Sequence, residues 1–215
     1  ARDNYIGWDK KQQFTFKKLD NLVNITTCVS TQPFGFNFNG GKLLASLAFS
    51  KEVIEYYYDK YNTKILGITT MSLYGKSIQY DRIKCLKYLG LTKGNSLKNI
   101  PHQAIAFSKQ YLKENNLLTP SLKKNNMWAL KKCINQLNIP VEDVLKSNTK
   151  GIYFGYTTPQ SKKYLIGEDV EMPDPIKYAK STDNIFNWWK ERWAKQRYNH
   201  LVKTNRLNAL GKINT

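Results

Sequence analysis

The chain has 215 residues, with 34 Lys+Arg against 16 Asp+Glu for a formal net charge of +18, and 41% of it is hydrophobic and 13% aromatic. That apolar content is enough for a buried core and excludes a chain disordered throughout. The charge points to a polyanion as partner, nucleic acid first, although a Lys- and Asn-rich chain can also carry its cations as a solvated face.

Cys28, Cys85 and Cys133 are odd in number, far apart and without metal-ligand spacing, so they read as reduced thiols of a cytoplasmic protein rather than a disulfide framework or zinc site. No apolar run reaches the roughly 18 residues that span a bilayer, which points away from a membrane. The chain opens at Ala1 on NYIGW (4–8), a strand-like run, and the expectation is that earlier strands are missing or supplied by a partner.

Residues 21–32, NLVNITTCVSTQ, have the β-branched composition of a half-buried strand and lead into a Gly/Asn/Pro turn. A helix is expected from about Gly41 to Lys60, with Leu43, Leu44, Leu47, Ala48, Ile54 and Tyr58 on its apolar positions. TKILGITTM (63–71) predicts the next strand, and residues 77–89 a second helix, with Gly90 as its left-handed stop. Two successive strand-helix units favour a parallel sheet covered by helices. Beyond Pro101 the pattern turns helical, with Leu130, Cys133, Ile134 and Leu137 on one face of a helix over 121–139. GIYFGYTT (151–158) reads as a strand, and GEDVEMPDP (167–175) as an acidic, Pro-containing linker. Asp183 then caps a last helix in which Phe186, Trp189 and Trp193 share a face.

FNFNGGKLLA (36–45) sets two glycines between a strand and the first turn of a helix. Such a turn lets backbone approach a ligand and aims N–H groups at an anion such as pyrophosphate, with Lys42 adding charge. The same glycines serve equally for a tight turn alone. Cys85, beside Ile83, Leu86 and Leu89, reads as a small buried hydrophobe rather than a nucleophile. His102 and His200 have no ligand-spaced neighbours, so no metal site is expected. Between Lys190 and Lys212 stand seven basic residues and one acid, Glu191. Lys190, Arg192, Lys195, Arg197, Lys203 and Arg206 are the candidate phosphate contacts, with the tryptophans mainly packing.

The order strand, Gly turn, helix, strand, then a helix carrying Tyr80 and a short aromatic-Leu-Gly strand entry resembles the core of the GNAT acetyltransferases, in which that helix flanks the acyl-CoA cleft. RDNYIGW (2–8), NLVNITT (21–27), GGKLLASL (40–47) and YDRIKCLKYLGLTKG (80–94) together resemble the DruA family of phage-defence and mobile-element proteins, with the DNA-modifying Mom proteins of phages as more distant relatives. The resemblance spans residues 2–94. It implies a mixed α/β (α+β) fold, a GNAT-like mixed sheet flanked by helices with a helical, basic C-terminal extension. It also implies an acyl-CoA, acetyl-CoA for instance, held at Asn39, Gly40, Gly41 and Lys42, and Tyr80 as the general acid for the leaving thiolate. Gln32 and the 37–41 run only approximate the usual phosphate loop of that family.

The expected organisation is a core over 1–100, an extension over 101–166, a linker over 167–182 and a basic helix over 183–215. The expected function is transfer of an acyl-derived group to a DNA base in phage or mobile-element biology. The alternative is a non-catalytic DNA-binding accessory or a structural protein that contacts nucleic acid.

Overall fold

The computed structural model describes residues 2–8, 18–31, 38–73, 75–92, 94, 100–146, 149–168 and 171–207. They divide into two compact units, Ala1–Leu91 with Lys150–Thr215, and Thr92–Thr149.

The first unit is built on a four-stranded mixed sheet of β1 (Leu22–Ile25), β2 (Gly67–Ser72), β3 (Lys87–Leu91) and β4 (Gly151–Tyr156), in the order β1-β2-β4-β3. β1 and β2 run parallel, while β4 is antiparallel to both β2 and β3. The all-parallel arrangement expected from repeated strand-helix units is therefore not formed. Only the first crossover has the helices that a parallel pair requires.

Those helices are α2 (Gly40–Leu47) and α3 (Lys51–Tyr61), where the spacing predicted one continuous helix. Ser50 separates them, because its side chain accepts the Val53 N–H as an N-cap and its backbone forms a parallel bridge with Lys180. Asn62, at φ 50°, ends α3.

NYIGW also departs from expectation, since α1 (Arg2–Ile6) is helical. The amides of Gly7 and Trp8 both return to the Asp3 carbonyl, and Gly7, at φ 102°, supplies the left-handed stop. Trp8 then donates its indole N–H to the Leu165 carbonyl at 2.7 Å, tying the N-terminal turn to a later helix of the same unit.

The largest correction falls on residues 77–89. There is no helix. A series of turns runs over 78–85 and β3 follows. Tyr80, Ile83 and Leu86 are all buried in one core cluster with Ala45, Phe49, Ile65, Ile68 and Tyr153. Their spacing of three imitates a helix, but successive turns produce it. Beside the backbone bonds of the turns, three backbone groups find side chains: Ser77 N–H donates to the Tyr153 hydroxyl at 2.7 Å, and the carbonyls of Ile78 and Asp81 both accept from the Lys42 ammonium. Arg82, at φ 62°, interrupts any helical run. Gly90 is a strand residue at φ 105°, where the β3–β4 register shifts between Tyr88 and Gly90.

This segment lies directly across β4, and glycine makes that possible. A Cβ on Gly151 would fall 1.9 Å from the Gly75 carbonyl oxygen, and one on Gly155 would fall 1.9 Å from that of Cys85. The far face of the sheet carries Ile6, Trp8, Leu66, Phe154 and Leu165.

The second unit is helical: α4 (His102–Glu114), α5 (Pro120–Lys124), α6 (Asn126–Gln136) and α7 (Val141–Val144). α4 packs on α6 through Leu112, Ala129 and Cys133, while Leu130, Ile134 and Leu145 make a second cluster. The single helix expected over 121–139 is divided at Asn125, whose side chain accepts the Trp128 N–H. Leu137, placed on the buried face by periodicity, stands 40% exposed beyond the end of α6. In the chain this unit follows β3 and precedes β4, and Leu91 pairs with Gly151.

Back in the first unit, β4 leads to α8 (Ser161–Leu165) and α9 (Pro175–Tyr178), the latter falling within the expected linker. α10 (Thr182–Trp189) follows, then a π-helical turn (Lys190–Ala194) and α11 (Lys195–Lys203). Ser181, not Asp183, caps α10, by accepting the Asn184 N–H.

Gly155→Ala should lower stability by several kcal/mol, beyond the roughly 1–3 kcal/mol of ordinary overpacking, because the atom met is rigid backbone. Gly90→Ala meets no atom within 4 Å and should cost only its backbone strain, about 1 kcal/mol. Urea unfolding of both variants measures the contrast.

Candidate functional site

The glycine turn and the C-terminal helix, noted separately in the sequence, meet in space. Asn39, at φ 59°, turns the chain into α2, and its carbonyl accepts the Trp189 indole N–H at 3.0 Å. Gly41 packs on Gln79. A Cβ there would lie 3.0 Å from the Gln79 side chain, which itself donates to the Cys28 carbonyl at 2.6 Å.

Lys42 does not face outward. It is 3% exposed, and its ammonium donates to the Ile78 carbonyl and, at 2.7 Å, to that of Asp81. The face of Trp193 closes over it, with the ammonium 4.6 Å from the ring centroid. Burial holds the Lys42 pKa below its ordinary value, the Asp81 charge opposing that shift and Arg82 adding to it.

Tyr80 is 6% exposed and sits in the core. Its ring lies 5.1 Å from that of Tyr153, and its hydroxyl interacts with the side chains of Thr70 and Cys28. Burial pushes its pKa up. The expectation that it lines a cleft on a flanking helix is corrected by the absence of that helix and by this packing. Taken together, Asn39, Gly40, Gly41, Lys42 and Tyr80 are brought close, but as parts of a clasp. With Lys42 spent on two carbonyls and Gly41 covered by Gln79, the arrangement does not fit an acyl-CoA diphosphate, and no chemical step is assigned to that group. Gln32 and Asn37 lie outside the described residues.

The C-terminal helix docks differently from the expected Phe186/Trp189/Trp193 stripe. Ile185, Trp189 and Leu201 are buried and Trp193 is half-buried, whereas Phe186 is 46% exposed. A straight α-helix would set Leu201 about 120° around from Trp189. The π turn, in which Lys195 N–H reaches back to the Lys190 carbonyl, takes up that offset and puts both on the docked side. The other side carries the predicted cations. Lys190, Arg192, Lys195, Lys203 and Arg206 are exposed and Arg197 is half-buried. Lys195 pairs with Glu191 at 2.9 Å, and Arg192 lies 5.3 Å from the centre of the Trp193 ring. Tyr198, 48% exposed, stands among them.

A second feature of this unit escaped the sequence. A cavity of about 240 Å³ is lined by residues that include Phe49, Ile83, Cys85, Tyr156, Tyr178 and Trp188. They come from segments scattered between 46 and 188, so no local motif could have marked them. Burial pushes the Cys85 thiol up to about 11, with Lys180 opposing the shift.

The family model of Druantia protein DruA matches residues 1–167. The chain belongs to the DruA family. Druantia protein DruA of Escherichia coli (strain UMEA 4076-1) is 29% identical over 131 residues, a match that covers 53% of this chain and 32% of the relative. The chain thus matches about a third of the length of that DruA protein. No solved structure matches it. The DruA match contains the whole sheet and the α2 clasp, while the helix carrying the cations lies beyond it. No helix among the described residues is long and apolar enough to cross a membrane.

Lys42→Met should lower stability by roughly 1–3 kcal/mol, because the partly buried carbonyls of Ile78 and Asp81 lose a charged donor; thermal and urea unfolding measure it. Cys85 provides a pH test. Its folded-state pKa is raised, so its contribution to stability is present below the unfolded value of 9.0 and is lost as pH climbs through about 11. Alkylation of Cys85 followed by mass spectrometry should keep accelerating up to that pH, where an ordinary thiol levels off near 9.

Proposed function

We propose that this chain is a non-catalytic, nucleic-acid-binding component of a phage-defence system, holding DNA phosphates through the exposed face of the 190–206 segment. The carrying observation is that those cations stand on a helix anchored to the core by Trp189 and Trp193, so they are presented from a rigid support rather than a loose tail. The net charge of +18 and the DruA family membership support the same reading. Tyr198 and Phe186 add exposed rings on which unstacked bases can lie.

In this proposal the mixed sheet is a GNAT-like core whose glycine turn has become a structural clasp, with Lys42 serving the fold instead of an acyl donor. Protein partners from the same defence system complete the assembly. The reading predicts that titration with acetyl-CoA gives no heat while DNA binds. Micromolar binding of acetyl-CoA would return the turn to a cofactor role.

Binding to duplex and single-stranded DNA, followed by fluorescence anisotropy, should weaken as salt rises, with a slope of about −0.9 in log K per phosphate contacted on duplex. The triple substitution Lys190→Gln, Arg192→Gln and Lys203→Gln should reduce that slope by about two to three units and weaken unrelated sequences alike, since phosphate contacts carry no base information. Thermal stability should stay near the parent value, because all three side chains are exposed. A flat salt dependence, or a triple variant that binds as the parent does, would overturn the proposal.

A further inference from the structure

The cavity beside Cys85 has a composition that its role in the fold does not require. Phe49 and Ile83 are buried, and Ile185 and the rings of Tyr156, Tyr178 and Trp188 complete an apolar, largely aromatic wall. Lys84 and Lys180, both exposed, line it as well, and no carboxylate does among the described residues. Lys180 is fixed in place through its backbone, whose carbonyl accepts the Lys51 N–H at 2.9 Å beside the Ser50–Lys180 bridge. Its charge opposes the upward shift that burial imposes on the Cys85 thiol. Asn184, Ser46 and Thr157 add an amide and two hydroxyls.

We propose that this cavity binds one nucleotide unit, with its base against the aromatic wall and its phosphate at Lys84 and Lys180. Aromatic faces hold a flat heterocycle through stacking, an asparagine amide matches the paired donor and acceptor of a base edge, and lysines hold a phosphate as point charges. The volume decides the size of the occupant. About 240 Å³ is slightly below the roughly 300 Å³ where small-molecule sites begin, enough for one base and its sugar but not for a folded peptide segment. A purely apolar ligand would make no use of the two lysines that line the cavity.

The unit can arrive in two forms, as a free mononucleotide or as one residue of a strand turned out of its stack. The second form rests on the nucleic-acid reading above, and the first does not. Both use the same chemistry.

Calorimetry with adenosine, AMP and a short single-stranded oligodeoxynucleotide tests it. AMP should bind about tenfold more tightly than adenosine to the parent, the phosphate accounting for the difference. Lys84→Gln with Lys180→Gln should erase that difference while leaving adenosine binding as it was. Trp188→Ala should weaken both ligands, with Trp188→Phe retaining most of the affinity if stacking is the cause. Micromolar AMP binding identifies a free-nucleotide site. Weak AMP binding, together with a loss of oligonucleotide affinity in the Lys84/Lys180 variant at unchanged dependence on Lys190, Arg192 and Lys203, identifies a nucleotide within a strand. Equal affinity for adenosine and AMP, or indifference of all three ligands to the Lys84/Lys180 and Trp188 variants, would overturn the proposal. Failure of salt-dependent DNA binding alone would leave the AMP result standing, so the two readings fail separately.

Discussion

One buried ammonium organises the first unit. Lys42 reaches from the first turn of α2 to the carbonyls of Ile78 and Asp81, 36 and 39 residues away in the chain. A charge with so little exposure persists only where polar atoms surround it, and here backbone supplies them. The turns at 78–85 are thereby pinned to α2, which sets Tyr80 and Ile83 into the core and directs the chain into β3. Trp193 closes the other side of the same ammonium, so the C-terminal helix takes its seat from that interaction as well.

The clasp also couples what the sequence treated as separate functions. Gly41 is bare because Gln79 occupies the space a side chain would need, and Asn39 gives its carbonyl to Trp189. A glycine pair before a helix can meet a ligand or can meet its own chain. In this molecule the close approach is made by residues of the fold, and the outward charge stands on the far side of the helix that Trp189 anchors.

The strands were legible wherever β-branched and apolar residues clustered: 22–25 and 151–156 fall inside the stretches their composition marked, and 67–72 runs one residue, Ser72, beyond its stretch. Residues 77–89 were not, since Tyr80, Ile83 and Leu86 have helical spacing while the backbone groups of Ser77, Ile78 and Asp81 beside them are held by Tyr153 and Lys42, partners that periodicity cannot reveal. The exposure of the cations at 190, 192, 195, 203 and 206 was legible from charge alone. The inward turn of Lys42 was not, because its partners are carbonyls, which every residue carries. Phe186 was misplaced for a different reason: Ile185 and Trp189, four residues apart, set the docked face of α10, and Phe186 falls beside that face.

The residues Thr92–Thr149 follow β3 and precede β4 in the chain, and Leu91 stands opposite Gly151 where those strands pair. In polymer terms this is a hairpin whose loop has become a body of its own. While that body is unfolded, pairing β3 with β4 must close a loop of its full contour, and the entropic cost rises with the logarithm of that length. Once α4 and α6 have packed, the effective loop is only the distance between the body's two ends. A unit built from contacts close in sequence therefore lowers the entropic cost of pairing β3 with β4 whenever it folds before they meet.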